Sequence, residues 1–132
     1  MNRIEKGIRT FITRMQKNAG VENLTYFLIA DRSQSITLVK KAWYGRQVFR
    51  TIEGNTSIVQ YSDRDIHIPV EDLVFNGNRI LPRRGHWVEI FEPEPKVKVR
   101  FELAAPEGEQ VYRYMDTYNL VYRIHTRAVL FS

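Results

Sequence analysis

The sequence predicts a mainly β fold, a small antiparallel β-barrel or sandwich with one amphipathic α-helix at its N-terminal end. Three observations predict it. Residues 3–17 carry apolar side chains at helical spacing, and after Gly20 the pattern changes from a period of about 3.6 to a period of about 2. Short apolar runs then recur roughly every 8–12 residues with turn-forming residues between them, the signature of sandwiches and small barrels.

The helix comes first. Ile4, Ile8, Phe11, Ile12 and Met15 follow one helical stripe and fall within an arc of roughly 100°. Arg3, Lys6, Arg9, Arg14 and Lys17 are expected on the opposite side. Gly20 supplies a stop, and Lys17 suits the negative end of the helix dipole. Strands are predicted over Leu24–Ala30 and Ile36–Trp43, with Asp31-Arg-Ser-Gln-Ser35 as the turn between them. Gln47–Ile52 and Thr56–Tyr61 flank a hairpin signal at Gly54-Asn55. Ile66, Ile68 and Val70 alternate with His67 and Pro69, and the proline predicts an edge or the end of a strand. Asn76-Gly77 and Pro82-Arg-Arg-Gly85 are turn signals, the second leading into a strand over His86–Phe91. Lys96–Leu103 alternates most regularly, with Val97, Val99, Phe101 and Leu103 on one face. Ala104–Asn119 is expected as a polar connection bearing Tyr112, Tyr114 and Tyr118, and Leu120–Phe131 as the last strand.

The bulk properties bound the rest. A length of 132 residues predicts a single domain, with 1–20 as the helical front and 21–132 as the β body. The absence of cysteine removes disulfides, cysteine zinc sites and thiol nucleophiles, and fits a reducing compartment. No apolar run is long enough for a signal peptide or a bilayer span, so a soluble protein made in a cytoplasm is expected. The formal net charge is +5. Residues 1–17 hold five basic side chains against Glu5, whereas the remainder holds fifteen basic and fourteen acidic ones. The excess charge therefore belongs to the helix, not to a broad nucleic-acid-binding surface.

Candidate chemistry is sparse. His67, His86 and His125 stand at no metal-ligand spacing, and half-buried or solvent-facing roles are expected for His67 and His125, which lie inside strands. Asp63 and Asp65 would share a face in a strand and could hold a hard cation. A turn with Asp63 as its cap and Asp65 paired to an arginine is the favoured reading. No phosphate loop, nucleophile elbow or HExxH helix occurs, so no cofactor, metal or catalytic residue is predicted. Tyr112, Arg113, Tyr114 and Tyr118 combine large contact areas with polar tips and are candidate interface residues. Alternatively, two of the rings fold back over the open end of the body. The helix stripe Ile8, Phe11, Ile12 and Met15 is likewise read either as a docking face or as the seat of the helix on its own sheet.

The order of features from about residue 24 onward resembles phage and prophage head–tail joining, head-completion or neck proteins. The resemblance rests on the paired segments Leu24–Ala30 and Ile36–Trp43 after a leading helix, and on Ser62-Asp-Arg-Asp-Ile-His-Ile-Pro-Val-Glu-Asp-Leu73 with its "IPxxDL" turn. It continues through Pro82-Arg-Arg-Gly85, Trp87–Phe91, Glu107-Gly108-Glu109, Arg113-Tyr-Met-Asp-Thr-Tyr118 and Arg123-Ile-His-Thr-Arg127. Gly85-His86 departs from the glycine–aspartate step frequent in such proteins. The resemblance implies a virion structural protein that assembles as a ring in the neck, between capsid portal and tail. Its partners would be copies of itself, portal or adaptor proteins and tail proteins, with DNA near in a lumen and no enzymatic step. The competing reading is a small nucleic-acid-binding barrel using the basic helix, with Lys96, Lys98 and Arg100 as a row on one face. An enzyme with a spatially assembled site and a membrane-surface helix are weaker alternatives.

Overall fold

The computed structural model describes residues 2–29, 32–53, 58–92, 97–105 and 108–129. The helix α1 runs over Arg3–Ala19, two residues beyond the predicted end. Asn2 caps it by accepting the Glu5 backbone N–H at 2.8 Å, and Glu5 and Lys17 complement the dipole at the two ends. Gly20 ends it in an extended conformation. A Cβ there would overlap the Gln16 carbonyl oxygen and lie 2.9 Å from that of Lys40, so close backbone approach is what requires glycine.

Ten strands follow: β1 Leu24–Phe27, β2 Ser35–Leu38, β3 Trp43–Glu53, β4 Ile58–Pro69, β5 Val74–Phe75, β6 Asn78–Arg79, β7 Trp87–Glu92, β8 Val97–Leu103, β9 Tyr112–Tyr114 and β10 Val121–Val129. All the strand pairings are antiparallel. The main sheet has the order β2-β1-β7-β8-β10-β4-β3, and β9 adds to the first half of β10. The fold is mainly β and sandwich-like. β2 and β3 end the sheet without pairing to each other, so it does not close into a barrel.

One apolar cluster forms the main core. Leu24 and Tyr26 of β1, Ile66 and Ile68 of β4, Ile90 of β7 and Ile124 of β10 are all 0–1 % exposed. Their alternation with outward polar residues is what the period of 2 encodes. A short 3-10 turn over Val70–Asp72 and the β5–β6 hairpin close over this core, burying Val70 and Leu73. Asn76 and Gly77 both take positive φ (51° and 79°), the conformation a tight two-residue hairpin demands.

Several expectations are corrected. The strand predicted over Ile36–Trp43 is two strands at opposite ends of the sheet. Lys40 turns left-handed (φ 55°), and Val21 binds the crossing segment by accepting from Lys40 N–H and donating to the Ala42 carbonyl. Residues 62–65 form no turn: they lie within β4, where β3 pairs with Ser62, Asp63 and Arg64 and β10 pairs with Asp63, Arg64 and Asp65. The connection over Ala104–Asn119 contains strand β9. Pro69 does end its strand, as its missing N–H requires, but β4 is internal to the sheet. The Gly54-Asn55 turn, Lys96 and the terminal residues 30 and 130–131 of two predicted strands lie outside the described residues.

Candidate assembly surfaces

The helix lies on its own sheet. Ile12 (8 % exposed) packs with Trp43 and Val121 in a second apolar cluster, flanked by Ile8, Met15, Met115 and Leu120. Phe11 meets the edge of Trp43 at 6.4 Å and 83°. The apolar stripe is nevertheless wider than its seat. Ile4 remains 64 % exposed and Phe11 41 %.

The reason is that α1 is rolled toward its Ile12 side. Gln16 donates to the Lys41 carbonyl and to Asp72 Oδ2, both at 3.2 Å. Arg9 pairs with Glu5 at 3.4 Å and with Glu71 at 3.8 Å. Arg9 therefore belongs to the seat of the helix, whereas Arg3, Lys6, Arg14 and Lys17 form the exposed basic face.

The tyrosines divide in the same way. Tyr112 and Tyr114 fold onto buried Tyr122, with ring centroids 5.3 and 5.6 Å away. Asp116 organises the following loop. Its carboxylate accepts backbone N–H groups from Tyr118 at 2.9 Å and from Leu120 and Val121 at 3.0 Å. Tyr118 is held at the helix start, where its hydroxyl accepts from Asn2 Nδ2 at 2.7 Å. A cleft of about 330 Å³ opens between helix and loop, and Arg9, Ile12, Tyr114 and Tyr118 all line it. The structure thus gathers four of the sequence-selected residues in one place. Ile8 and Met15 sit beneath the helix, Phe11 beside it, and Arg113 faces a different hollow.

The sheet offers a second kind of surface. β3 pairs only with β4, and β10 reaches along β4 no further than Asp63. From Phe49↔Ser62 to Glu53↔Ile58, β3 and β4 therefore continue as a two-stranded ribbon with no third strand among the described residues. Such ribbons are marginal alone, and an open strand edge is a template for pairing.

Of the row that the competing nucleic-acid reading would use, Lys98 and Arg100 are engaged within the chain. Arg100 stacks at 3.9 Å over Trp87, and Arg32 covers the same ring at 5.2 Å while gripping Glu89 at 2.9 and 3.0 Å. Lys98 also reaches Glu89, at 3.8 Å, and Arg100 pairs with Glu102 at 3.5 Å. Trp87 and the stacked Phe27 supply aromatic rings on this face, a feature that alternation within β8 alone does not reveal. They are 2 % and 4 % exposed and cannot receive a base without displacing the arginines.

The histidines are structural in setting. His86 Nδ1 lies 2.7 Å from the Tyr26 hydroxyl in the core, and burial, then nearby Arg83, lowers its pKa from 6.5 to about 4. Burial, then Arg123, lowers that of His67 to about 4 as well. Asp65 pairs with His125 Nδ1 at 2.8 Å, not with the expected arginine, and Asp63 lies 3.9 Å from Arg127 Nε. Among the described residues no group of three or more His, Asp or Glu is arranged to hold a metal ion. No described helix is long and apolar enough to cross a membrane.

The described residues thus form an antiparallel sheet with a docked helix and open strand edges, and many of its aromatic and charged side chains are engaged in packing and ion pairs. The chain belongs to the family of phage head-tail joining proteins, which residues 1–131 match, the leading helix included. That family is structural and not enzymatic, and membership implies interaction with phage head and tail proteins. No curated protein and no solved structure matches the chain.

Proposed function

We propose that the protein is a neck component of the virion, made in the host cytoplasm, that assembles as a ring between the capsid portal and the tail and catalyses no reaction. The near-complete match to the head-tail joining family carries this reading. Two surfaces suit it physically. A ring needs heterologous contacts, in which one patch of each copy meets a different patch of the next. The exposed strip of Ile4 and Phe11, beside Tyr118, is one such patch, and the unpaired ribbon of β3 and β4 is the other. Portal or adaptor proteins and tail proteins would then meet the two rims of the ring, with DNA passing through its lumen.

The test is electron microscopy of the concentrated full chain, alone and mixed with portal-bearing heads. Rings, or added density at the portal vertex, are expected, and Ile4→Ser, at the most exposed large apolar side chain of the helix, is expected to reduce them with little loss of stability. A wild-type protein that stays monomeric at high concentration and never joins heads refutes the reading.

A further inference from the structure

Beyond the helix, the outer face of the sheet carries a group of charges that packing does not explain. Read across the register, Trp43 lies opposite His67, His67 opposite Arg123, and Arg123 opposite Arg113. Directly opposed like charges destabilise a strand pair. Arg46 joins them from the irregularity in β3 where the register shifts between Tyr44 and Gln47. Arg46, Asp65, His67, Arg113, Arg123 and His125 line one hollow of about 280 Å³.

Its charge balance is lopsided. Asp65 is the one carboxylate in the lining, and it is engaged with His125 at 2.8 Å. Among the described residues, Arg46, Arg113 and Arg123 have no carboxylate within 4.0 Å, and what sets them apart from other such arginines is that they line one hollow together. Arg123 spends Nε on His67 Nε2 at 3.3 Å, which fixes the guanidinium and leaves its terminal nitrogens uncommitted. His67 is 8 % exposed, and its Nδ1, which carries the ring proton because Nε2 accepts from Arg123, is buried without a hydrogen-bond partner. A buried N–H without a partner, beside three arginines with no carboxylate among the described residues, is an arrangement that an anion would complete.

We propose that Arg46, Arg113 and Arg123 form an oxyanion site that receives one acidic side chain of a neighbouring protein in the particle. Guanidinium forks hold a carboxylate in bidentate geometry. The adjoining hollow shares Arg46, Asp65, Arg113 and His125 but adds Asp63 and Glu109, whose carboxylates repel a continuous polyanion such as a DNA strand. A single carboxylate fits between them. The source of the carboxylate rests on the head–tail joining reading; the existence of the site does not.

The site is tested by the melting temperature of the full chain in sodium glutarate, sodium phosphate or sodium chloride at equal ionic strength. Glutarate and phosphate are expected to raise it above chloride by roughly 3–6 °C once about tenfold over the dissociation constant. Exposed Arg113→Ala should abolish that increment while leaving the melting temperature in chloride unchanged or higher, because it also relieves the Arg113–Arg123 repulsion. Equal melting temperatures in all three salts, or an increment that survives both Arg113→Ala and Arg46→Ala, overturn the site. Duplex DNA that binds at physiological salt and loses tenfold or more affinity on Arg113→Ala overturns the choice of a protein carboxylate. In particles, Arg113→Glu is expected to block joining, and normal joining by it overturns the assigned source. Failure of the wild-type chain to join heads sinks the functional reading instead, and the salt result then stands alone.

Discussion

Moving from pH 7 to pH 5 is expected to remove about 4 kcal/mol of folding free energy through two buried histidines. His67 and His86 are each 8 % exposed, and burial, seconded by Arg123 and Arg83 respectively, lowers both from the ordinary 6.5 to about 4. A base with a depressed folded pKa takes up its proton more readily in the unfolded chain. The contribution is therefore full above about pH 6.5 and is lost as the pH falls through 6.5 toward 4. At pH 5 the linkage relation gives a loss of about 2 kcal/mol for each group relative to pH 7, a large share of an ordinary stability of roughly 5–15 kcal/mol. Asp72 works in the opposite sense, since burial raises its pKa and the folded state holds that proton more readily. It offsets part of the loss at the acidic end. The assay is urea unfolding followed by the fluorescence of Trp43 and Trp87. With a slope of about 1.5 kcal/mol per molar urea, the midpoint should fall by roughly 2–3 M between pH 7 and pH 5. His86→Gln should keep only about half of that fall, because one of the two groups no longer titrates. A midpoint that moves less than about 0.5 M, or a His86→Gln variant with the full acid sensitivity, refutes the reasoning.

Three further outcomes follow from the packing. Ile12→Ala should cost about 2–4 kcal/mol and red-shift Trp43 emission, because Ile12 is the buried residue through which α1 covers that ring. Asp116→Ala leaves the Tyr118, Leu120 and Val121 amides without their shared acceptor and should cost about 2–3 kcal/mol. Faster hydrogen exchange at Leu120 and Val121 would register it, and unchanged protection would refute it. Gly45→Ala places a methyl 2.7 Å from His67 Cε1 and 3.2 Å from the Asp65 side chain, which should cost about 1–3 kcal/mol in a thermal melt.

Much of this architecture was legible in the residues, for identifiable reasons. The stripe Ile4–Met15 and the alternation from Val97 to Leu103 are local patterns, and each maps onto an element within a few residues. What failed was decided by distant partners. Ser62–Asp65 has a turn-like composition, yet the ladders with β3 and β10 hold it extended. Nothing local marks Lys40 as the residue that turns left-handed and sends the chain to the opposite end of the sheet. The stripe on the helix face is a local pattern, but the roll of the helix is not, because Glu71 and Asp72, which draw in Arg9 and Gln16, lie more than fifty residues away. The same limit hid the arginine hollow. Arg46, Arg113 and Arg123 become neighbours only through the pairing of four strands, β3, β4, β10 and β9, and of these arginines only Arg113 stands out in the sequence, for its place among tyrosines.

The small contact at the helix start has a mechanical side. Asn2 accepts from Glu5 to begin the helix and donates to Tyr118, while Asp116 ties the Tyr118 loop to Val121. Val121 opens β10, which is flanked there by β4 on one side and β9 on the other. A tug on the front of the chain is thus carried through four residues into the middle of a hydrogen-bonded fabric, where it acts as shear across several ladders and not as peeling of a lone helix. For a member of the head-tail joining family, this anchorage makes the helix start a handle.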